Sequence, residues 1–311
     1  MKATTLALTA TYLLTTAYVS GALIYSESFD TPPYSAGDDL DGQQGWSGVS
    51  GYIDNNIVVD ATGLSHSAVS NASGGSIRGI NDPVFTDGDE GILTHTSVGV
   101  DSNLGTGTQY WFSALLSLTG NGNSAERNVV TLNFDSGSSS NIAFGLESSG
   151  AGGVGTSDGY SFVYGTKSNF NSNMSGAGYV GTQYVGGSTV LVVGRMTVVD
   201  ELASSGTENG KEILDFWINP SNFSTVETMI SSAQGTLQSQ EHSIIYGDWG
   251  QVTVGLEFNG SGGENTEYLQ DEIRVGTSLA DLGLTTIPEP SSAALLMGLV
   301  AIAGLCVRRR G

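Results

Sequence analysis

Carboxylates are the chain's most abundant chemical resource. Its 311 residues include 31 Asp and Glu against 10 Lys and Arg, with three His and a single Cys, for a net charge of −21. Retaining hydrolysis of a glycosidic bond needs two carboxyl groups about 5 Å apart. On a strand that means i, i+2 spacing, because successive side chains alternate faces. The pairs at that spacing, Asp39/Asp41 and Asp87/Asp89, lie in Gly-rich turn sequence. Glu212 and Asp215 are three apart and would face opposite ways. The adjacent Asp271 and Glu272 are also expected on opposite faces, one solvated and the other paired with Arg274. No catalytic residue is assigned.

Other machinery is thinner. His66, His95 and His242 stand far apart in polar or alternating sequence, where a solvated imidazole is expected, and none has a second ligand at zinc spacing. Gly-x-Ser-x-Gly embedded in a strand-to-helix context is missing, as is a phosphate-cradling loop ending in Gly-Lys-Ser/Thr. One cysteine closes no disulfide within the chain. So negative a field repels phosphate backbones, which excludes nucleic acid as a partner. Asp82, Asp87, Asp89 and Glu90 offer hard oxygen ligands suited to calcium, although their spacing matches no EF-hand loop and a solvated acidic turn satisfies the same sequence. No other cofactor is implied. Of the four tryptophans, each able to stack on a sugar ring, Trp111 and Trp217 lie in alternating segments and are expected in the core. Trp249, in the turn Tyr246 to Gly250, and Trp46 are the candidate ligand contacts, since loops carry function more often than scaffolds do.

These residues must be held by strands. Between Gly-, Ser-, Asn- and Asp-rich punctuation run Ile92 to Val100, Gln109 to Leu118, Arg127 to Phe134, Asn141 to Leu146, Tyr160 to Tyr164, Thr189 to Val199, Ile213 to Ile218, Gln251 to Phe258 and Tyr268 to Val275. Each is rich in β-branched or aromatic residues at a period of two. Only Thr225 to Ala233 and Ser278 to Leu282 read as helical turns. Many short strands without intervening helices predict an all-β, antiparallel two-sheet sandwich or barrel rather than a βαβ fold. The body, 23–284, is expected to be one such domain.

Both ends read as addresses. Lys2 precedes an uncharged stretch, Ala3 to Val19, which closes in Ser20-Gly21-Ala22, the form of a signal peptide over 1–22; a buried N-terminal helix is the alternative. The strand-like Leu23 to Asp30 follows. At the other end Pro288-Glu289-Pro290 precedes the apolar run 291–307 and then Arg308, Arg309 and Arg310. As a helix that run would be roughly 26 Å long, just enough to cross a bilayer. The arginines would keep its far end in the cytoplasm and the body outside. Cys306 falls within it, as a small apolar residue in lipid.

This tail, 285–311, resembles the PEP-CTERM sorting signal of Gram-negative bacteria. The resemblance implies Pro288, Glu289 and Pro290 as recognition residues for an exosortase-type membrane enzyme, an inner-membrane intermediate held by the transmembrane helix, and delivery to the cell surface or extracellular matrix. A permanent single-pass anchor would need the helix and arginines but no Pro-Glu-Pro.

A second resemblance lies in the body. Ser28-Phe29-Asp30 through Gly37, Leu40 and Asp41 to Gly48, then Leu214 to Pro220, and finally Asp271 to Leu282 are similar to concanavalin A-like, laminin-G-like jelly rolls. That family implies two antiparallel sheets with first and last strands side by side, among lectins, laminin modules and glucan hydrolases. The Glu-x-Asp-x-x-Glu motif of its glucanases is not in the chain. The expected function is therefore non-catalytic, in adhesion or exopolysaccharide contact. The rival is a secreted glycan hydrolase whose carboxylates are brought together by folding.

Overall fold

A computed structural model describes residues 22–30, 33–48, 57–69, 74–80, 90–95, 107–119, 127–133, 141–148, 159–167, 175–200, 211–242, 253–259 and 267–286. Among them the strands are β1 (Leu23–Glu27), β2 (Trp46–Gly48), β3 (Ile57–Asp60), β4 (Ser76–Ile80), β5 (Glu90–His95), β6 (Gln109–Thr119), β7 (Arg127–Asn133) and β8 (Asn141–Ser148). They continue with β9 (Gly159–Lys167), β10 (Ser175–Val185), β11 (Val190–Asp200), β12 (Lys211–Ile218), β13 (Gly235–His242), β14 (Thr253–Asn259) and β15 (Glu267–Gly276).

The strands form two antiparallel sheets. One runs β13-β12-β11-β6-β15-β4-β3, with β1 also paired to β15; the other runs β10-β9-β8-β7-β14-β5-β2. First and last strands are thus neighbours, Tyr25 opposite Val275. Phe112 and Phe216 from the first sheet interleave with Phe144 and Phe162 from the second, with centroids 5.1 Å apart for Phe112–Phe144 and 5.2 Å for Phe162–Phe216. Such interdigitation of inner faces is how two sheets make one core.

The eight-stranded sheet is buried on its other face too. Trp111, Leu115, Leu191, Val193 and Trp217 pack there under Leu64, Ala68, Val69, Phe223, Met229 and Leu282. This explains why β6 reads Tyr-Trp-Phe-Ser-Ala-Leu-Leu: alternate residues serve alternate cores. Part of the cover is α1 (Val226–Ser232), whose N-cap Thr225 and Thr228 form a reciprocal capping box, satisfying amides a helix start leaves open. A 3-10 turn, Leu279–Leu282, follows β15 and ends in Gly283 at φ 62°. Both stand where helical turns were expected.

The strands the sequence pattern misses are β2, β3, β4, β10 and β13. All except β4 are edge strands. An edge makes one ladder rather than two, and β2 and β3, of three and four residues, are too short to show a period of two. β13, Gly-Thr-Leu-Gln-Ser-Gln-Glu-His, packs only its Leu237 against the core. The expected continuation of β5 through Val100 lies outside the described residues.

Candidate functional site

One rung of the seven-stranded sheet concentrates polar groups. Arg127 on β7 stands opposite Glu147 on β8, and Glu147 opposite Ser161 on β9. In backbone register the rung extends to Asn259 and Glu90 on one side and to Gln183 on the other. The neighbouring residues Asn128, Leu146 and Phe162 point into the core, so the rung belongs to the sheet's outer face.

Arg127 Nη2 lies 3.4 Å from Glu147 Oε1. Glu147 is only 2% exposed. Burial pushes its pKa up, and the guanidinium pulls part of the way back. Glu147 Oε2, Ser161 Oγ, Arg127 Nε and, further along β7, Thr131 Oγ1 are buried without a hydrogen-bond partner. Buried polar atoms are nearly always paired, so four unsatisfied atoms on one face mark it as the part of the sheet with hydrogen-bonding capacity to spare. No sequence signal singled out this rung, because Glu147 closes an apolar run and its neighbours come from separate strands.

A second group of carboxylates corrects an expectation. Asp271 and Glu272 were to face opposite ways with one of them in solvent; they are 1% and 3% exposed. β15 slips its register against β6 between Asp271 and Arg274, and Glu272 takes φ 51°. A bulge of this kind breaks the alternation that the expectation assumed. Both carboxylates then reach the layer covering the outer face of the eight-stranded sheet. Asp271 Oδ2 accepts from the Leu64 amide at 2.9 Å and Oδ1 from the Glu272 amide at 2.7 Å. Glu272 Oε2 accepts from Arg274 Nε at 3.1 Å, while Arg274 Nη1 donates to the Leu282 carbonyl at 2.6 Å. The Arg274 pairing is the expected one.

Burial, then the charge of Glu272, pushes Asp271 up to about 8 despite its two amide donors, and Asp30 also repels it. Asp30 Oδ2 accepts from Ser28 Oγ at 2.8 Å, whereas its Oδ1 is buried and unpartnered. Gly74 is required beside it, since a Cβ there would lie 1.5 Å from that oxygen.

Trp46 is also corrected. It is 1% exposed and donates from Nε1 to the Tyr34 hydroxyl at 3.1 Å, while that hydroxyl donates to Glu27 Oε2 at 2.7 Å. Its ring packs 5.8 Å from Phe29, which leaves no face for a sugar. Trp111 and Trp217 are in the core as expected, stacked at 5.6 Å under the Arg195 guanidinium. Glu212 and Asp215 do face opposite ways: Asp215 is bound by Arg195 on the Trp217 side, and Glu212 lies in line with Leu214 and Phe216 on the core side. His66 is half-buried rather than solvated; desolvation lowers its pKa, and Nδ1 accepts from the Ala68 amide at 3.2 Å.

The remaining candidates lie wholly or partly outside the described residues. Trp249, Asp82, Asp87 and Asp89 fall there, and Glu90 is placed only as the backbone that opens β5. No group of three or more His, Cys, Asp and Glu side chains suited to one metal ion occurs among the described residues. Residues 1–21 and 287–311, with the Pro-Glu-Pro triplet, the apolar run and the arginines, are outside as well. No described helix is long and apolar enough to cross a membrane. The described chain begins with Ala22 docked on Thr277, Ala22 N donating to Thr277 Oγ1 at 2.8 Å and Thr277 N to the Ala22 carbonyl at 3.1 Å.

A family model for the PEP-CTERM protein-sorting motif matches residues 286–310. The chain ends in a PEP-CTERM motif. That motif implies processing by an exosortase-type system and supports export to the surface or extracellular space. No curated protein matches the sequence. Among solved structures the chain is similar to an alginate lyase in complex with alginate tetrasaccharide, at 9% identity and TM-score 0.43, covering 82% of this chain and 97% of that one. It is also similar to the CBM2 module of the evolved Dit protein of Lactobacillus casei BL23 phage J-1, at 10% identity and TM-score 0.43, covering 83% and 96%. A third is the lectin UEA-II complexed with galactose, at 12% identity and TM-score 0.39, covering 82% and 98%.

Proposed function

We propose that this protein is exported across the inner membrane of a Gram-negative bacterium, held there briefly by its C-terminal helix, and passed by an exosortase-type enzyme to the cell surface or matrix. Its concanavalin A-like sandwich then acts without catalysis, in adhesion or contact with exopolysaccharide. The observation that carries this reading is the sorting motif at 286–310 joined to a two-sheet antiparallel body. The spare hydrogen-bonding atoms around Glu147 and Ser161 support polar contact on the outer face of the seven-stranded sheet. Trp249 is retained as an aromatic contact, and Asp82, Asp87, Asp89 and Glu90 as a calcium turn.

Two experiments test it. Replacing Pro288, Glu289 and Pro290 together by alanine strands the protein in the inner membrane; normal release of that variant sinks the sorting step. The exported protein binds polysaccharide on a glycan array with or without calcium, and an empty array reduces it to a structural matrix component.

The second reading, a secreted glycan hydrolase, is favoured by Glu147, because a buried carboxyl with a raised pKa is what a general acid requires. Release of reducing sugar from algal or bacterial polysaccharides, abolished by Glu147→Gln, decides for it. Intact polysaccharide in both proteins decides against.

A further inference from the structure

Just past the Gln183 end of the Glu147 rung, the chain crosses from the edge of one sheet into the other through a turn at residues 186–189, between β10 and β11. A cavity of about 490 Å³ opens there, lined by His66, Tyr184, Val185, Ser188, Asn219 and Gln234 among others. That volume is within the range of small-molecule sites.

Its walls are fixed. Asn219 sits at φ 48° just after β12, a left-handed conformation in which Asn is tolerated better than most residues. Its Oδ1 accepts from the Leu191 amide at 2.7 Å, its own amide donates to the Leu191 carbonyl at 2.8 Å, and its Nδ2 donates to Gln234 Oε1 at 2.9 Å. The opposite wall turns at Gly187, φ 77°, whose amide donates to the Leu118 carbonyl at 2.9 Å. The groups on offer are amides, hydroxyls and one imidazole. His66 uses Nδ1 as an acceptor, so as a neutral ring it carries its proton on Nε2 and offers a donor. Tyr184, only 6% exposed, has a hydroxyl that finds no partner in the protein.

The described lining contains no Lys, Arg, Asp or Glu. An anion entering it would meet a chain of net charge −21 with no cation to receive it, and a cation would be desolvated without a carboxylate to pair with. Val185, 73% exposed, and the Tyr184 ring add apolar surface beside those polar groups. Donors and acceptors in fixed positions, an apolar wall and no formal charge match the chemistry of a pyranose ring.

We propose that this cavity is a binding subsite for an uncharged sugar unit, a neutral hexose within or at the end of a polysaccharide chain. The proposal rests on the glycan-contact reading above and gives it a location and a ligand class. The turn and the strand ends that build the cavity are held by backbone hydrogen bonds, so the subsite is preformed.

The test titrates the full-length protein with neutral oligosaccharides (glucose, galactose and mannose types) and with an acidic one, alginate, following saturation-transfer NMR and calorimetry. Tyr184→Phe removes only the unpartnered hydroxyl, and Ser188→Tyr fills the cavity from an exposed turn position, so both keep the wild-type melting temperature. A neutral oligosaccharide binds the wild type, binds several-fold more weakly to Tyr184→Phe, and is lost at least tenfold in Ser188→Tyr. Neutral-sugar binding unchanged in both variants, or binding of alginate alone, overturns the subsite while leaving glycan contact standing. A wild type that binds no oligosaccharide in the panel overturns both.

Discussion

Asp271 and Glu272 are consecutive in sequence, and the Glu272 amide donates to Asp271 Oδ1 at 2.7 Å inside a bulge that buries both carboxylates. One arginine, Arg274, serves Glu272, while Asp271 is left with amide donors alone. Burial and the neighbouring charge therefore favour a protonated Asp271 at neutral pH.

Stability should fall as pH rises through this window. With its pKa raised from 3.8 to about 8, Asp271 keeps in the folded state a proton that the unfolded chain has already released. Stability is fully present below the unfolded value and is lost on the way to the folded one, with a limiting slope of about 1.4 kcal/mol per pH unit. Glu272 is shifted the same way and adds to the trend. Urea midpoints from pH 4 to 8 should decline in the wild type and flatten in Asp271→Asn. An equal slope in the two proteins would place the titrating group elsewhere.

Arg127 and Glu147 should respond unequally to truncation. Arg127→Met strands a carboxylate that is 2% exposed and costs about 3–5 kcal/mol at pH 7, as for other buried pairs broken from one side. Part of that loss returns as pH falls, because burial favours the protonated form of Glu147 and the variant no longer has the guanidinium that opposes it. Glu147→Gln keeps the packing and leaves a guanidinium that is 15% exposed and able to reach water, at a cost of about 1 kcal/mol. Equal losses in the two variants, by denaturant titration, would contradict this account.

Two glycines should differ in whether they can be rescued. A Cβ on Gly194 would lie 2.0 Å from the Phe112 ring, and one on Gly145 would lie 2.0 Å from the Asn128 carbonyl oxygen. Each alanine variant overpacks by about 1–3 kcal/mol or more. Phe112→Leu should recover much of the loss in Gly194→Ala, because a side chain can be exchanged. Nothing comparable helps Gly145→Ala, where the obstacle is the neighbouring strand's backbone. A double-mutant cycle in thermal unfolding measures the coupling.

Arg195 should not tolerate lysine. It lies 5.3 Å and 5.6 Å from the Trp111 and Trp217 ring centres, and both Nε and Nη2 reach Asp215 Oδ2, at 3.0 and 2.6 Å. An ammonium supplies neither the plane nor the fork. Arg195→Lys is expected to cost about 1–2 kcal/mol in unfolding free energy and to change tryptophan fluorescence. A melting temperature and emission like those of the wild type would show the stack to be energetically idle.

Interior strands and edge strands were unequally legible. β6, β7, β8, β11, β12 and β15 announce themselves because each lies between two neighbours and presents at least one apolar face. β10 and β13 do not, since each is an edge with a single ladder, and β13 packs only Leu237 against the core. The two helical turns stand where Thr225 to Ala233 and Ser278 to Leu282 were read, and their caps, Thr225 with Thr228 and Ser278 with Asp281, are seen in the structure. The Glu147 rung and the Tyr184 cavity were not, because each assembles residues that only strand register or a crossing turn brings together.

The linear order of residues settled what depends on neighbours in the chain: a period of two, Gly-rich turns, a strongly acidic balance and the sorting motif at 286–310. Tertiary structure alone decided what depends on register. It slipped β15 so that Asp271 and Glu272 both entered the interior, placed Trp46 inside against Tyr34, and opened a neutral cavity beside Asn219. The physical reason is that a one-residue change in pairing moves a side chain to the other face of its sheet. That register is set by contacts between residues distant in sequence, on which local pattern is silent.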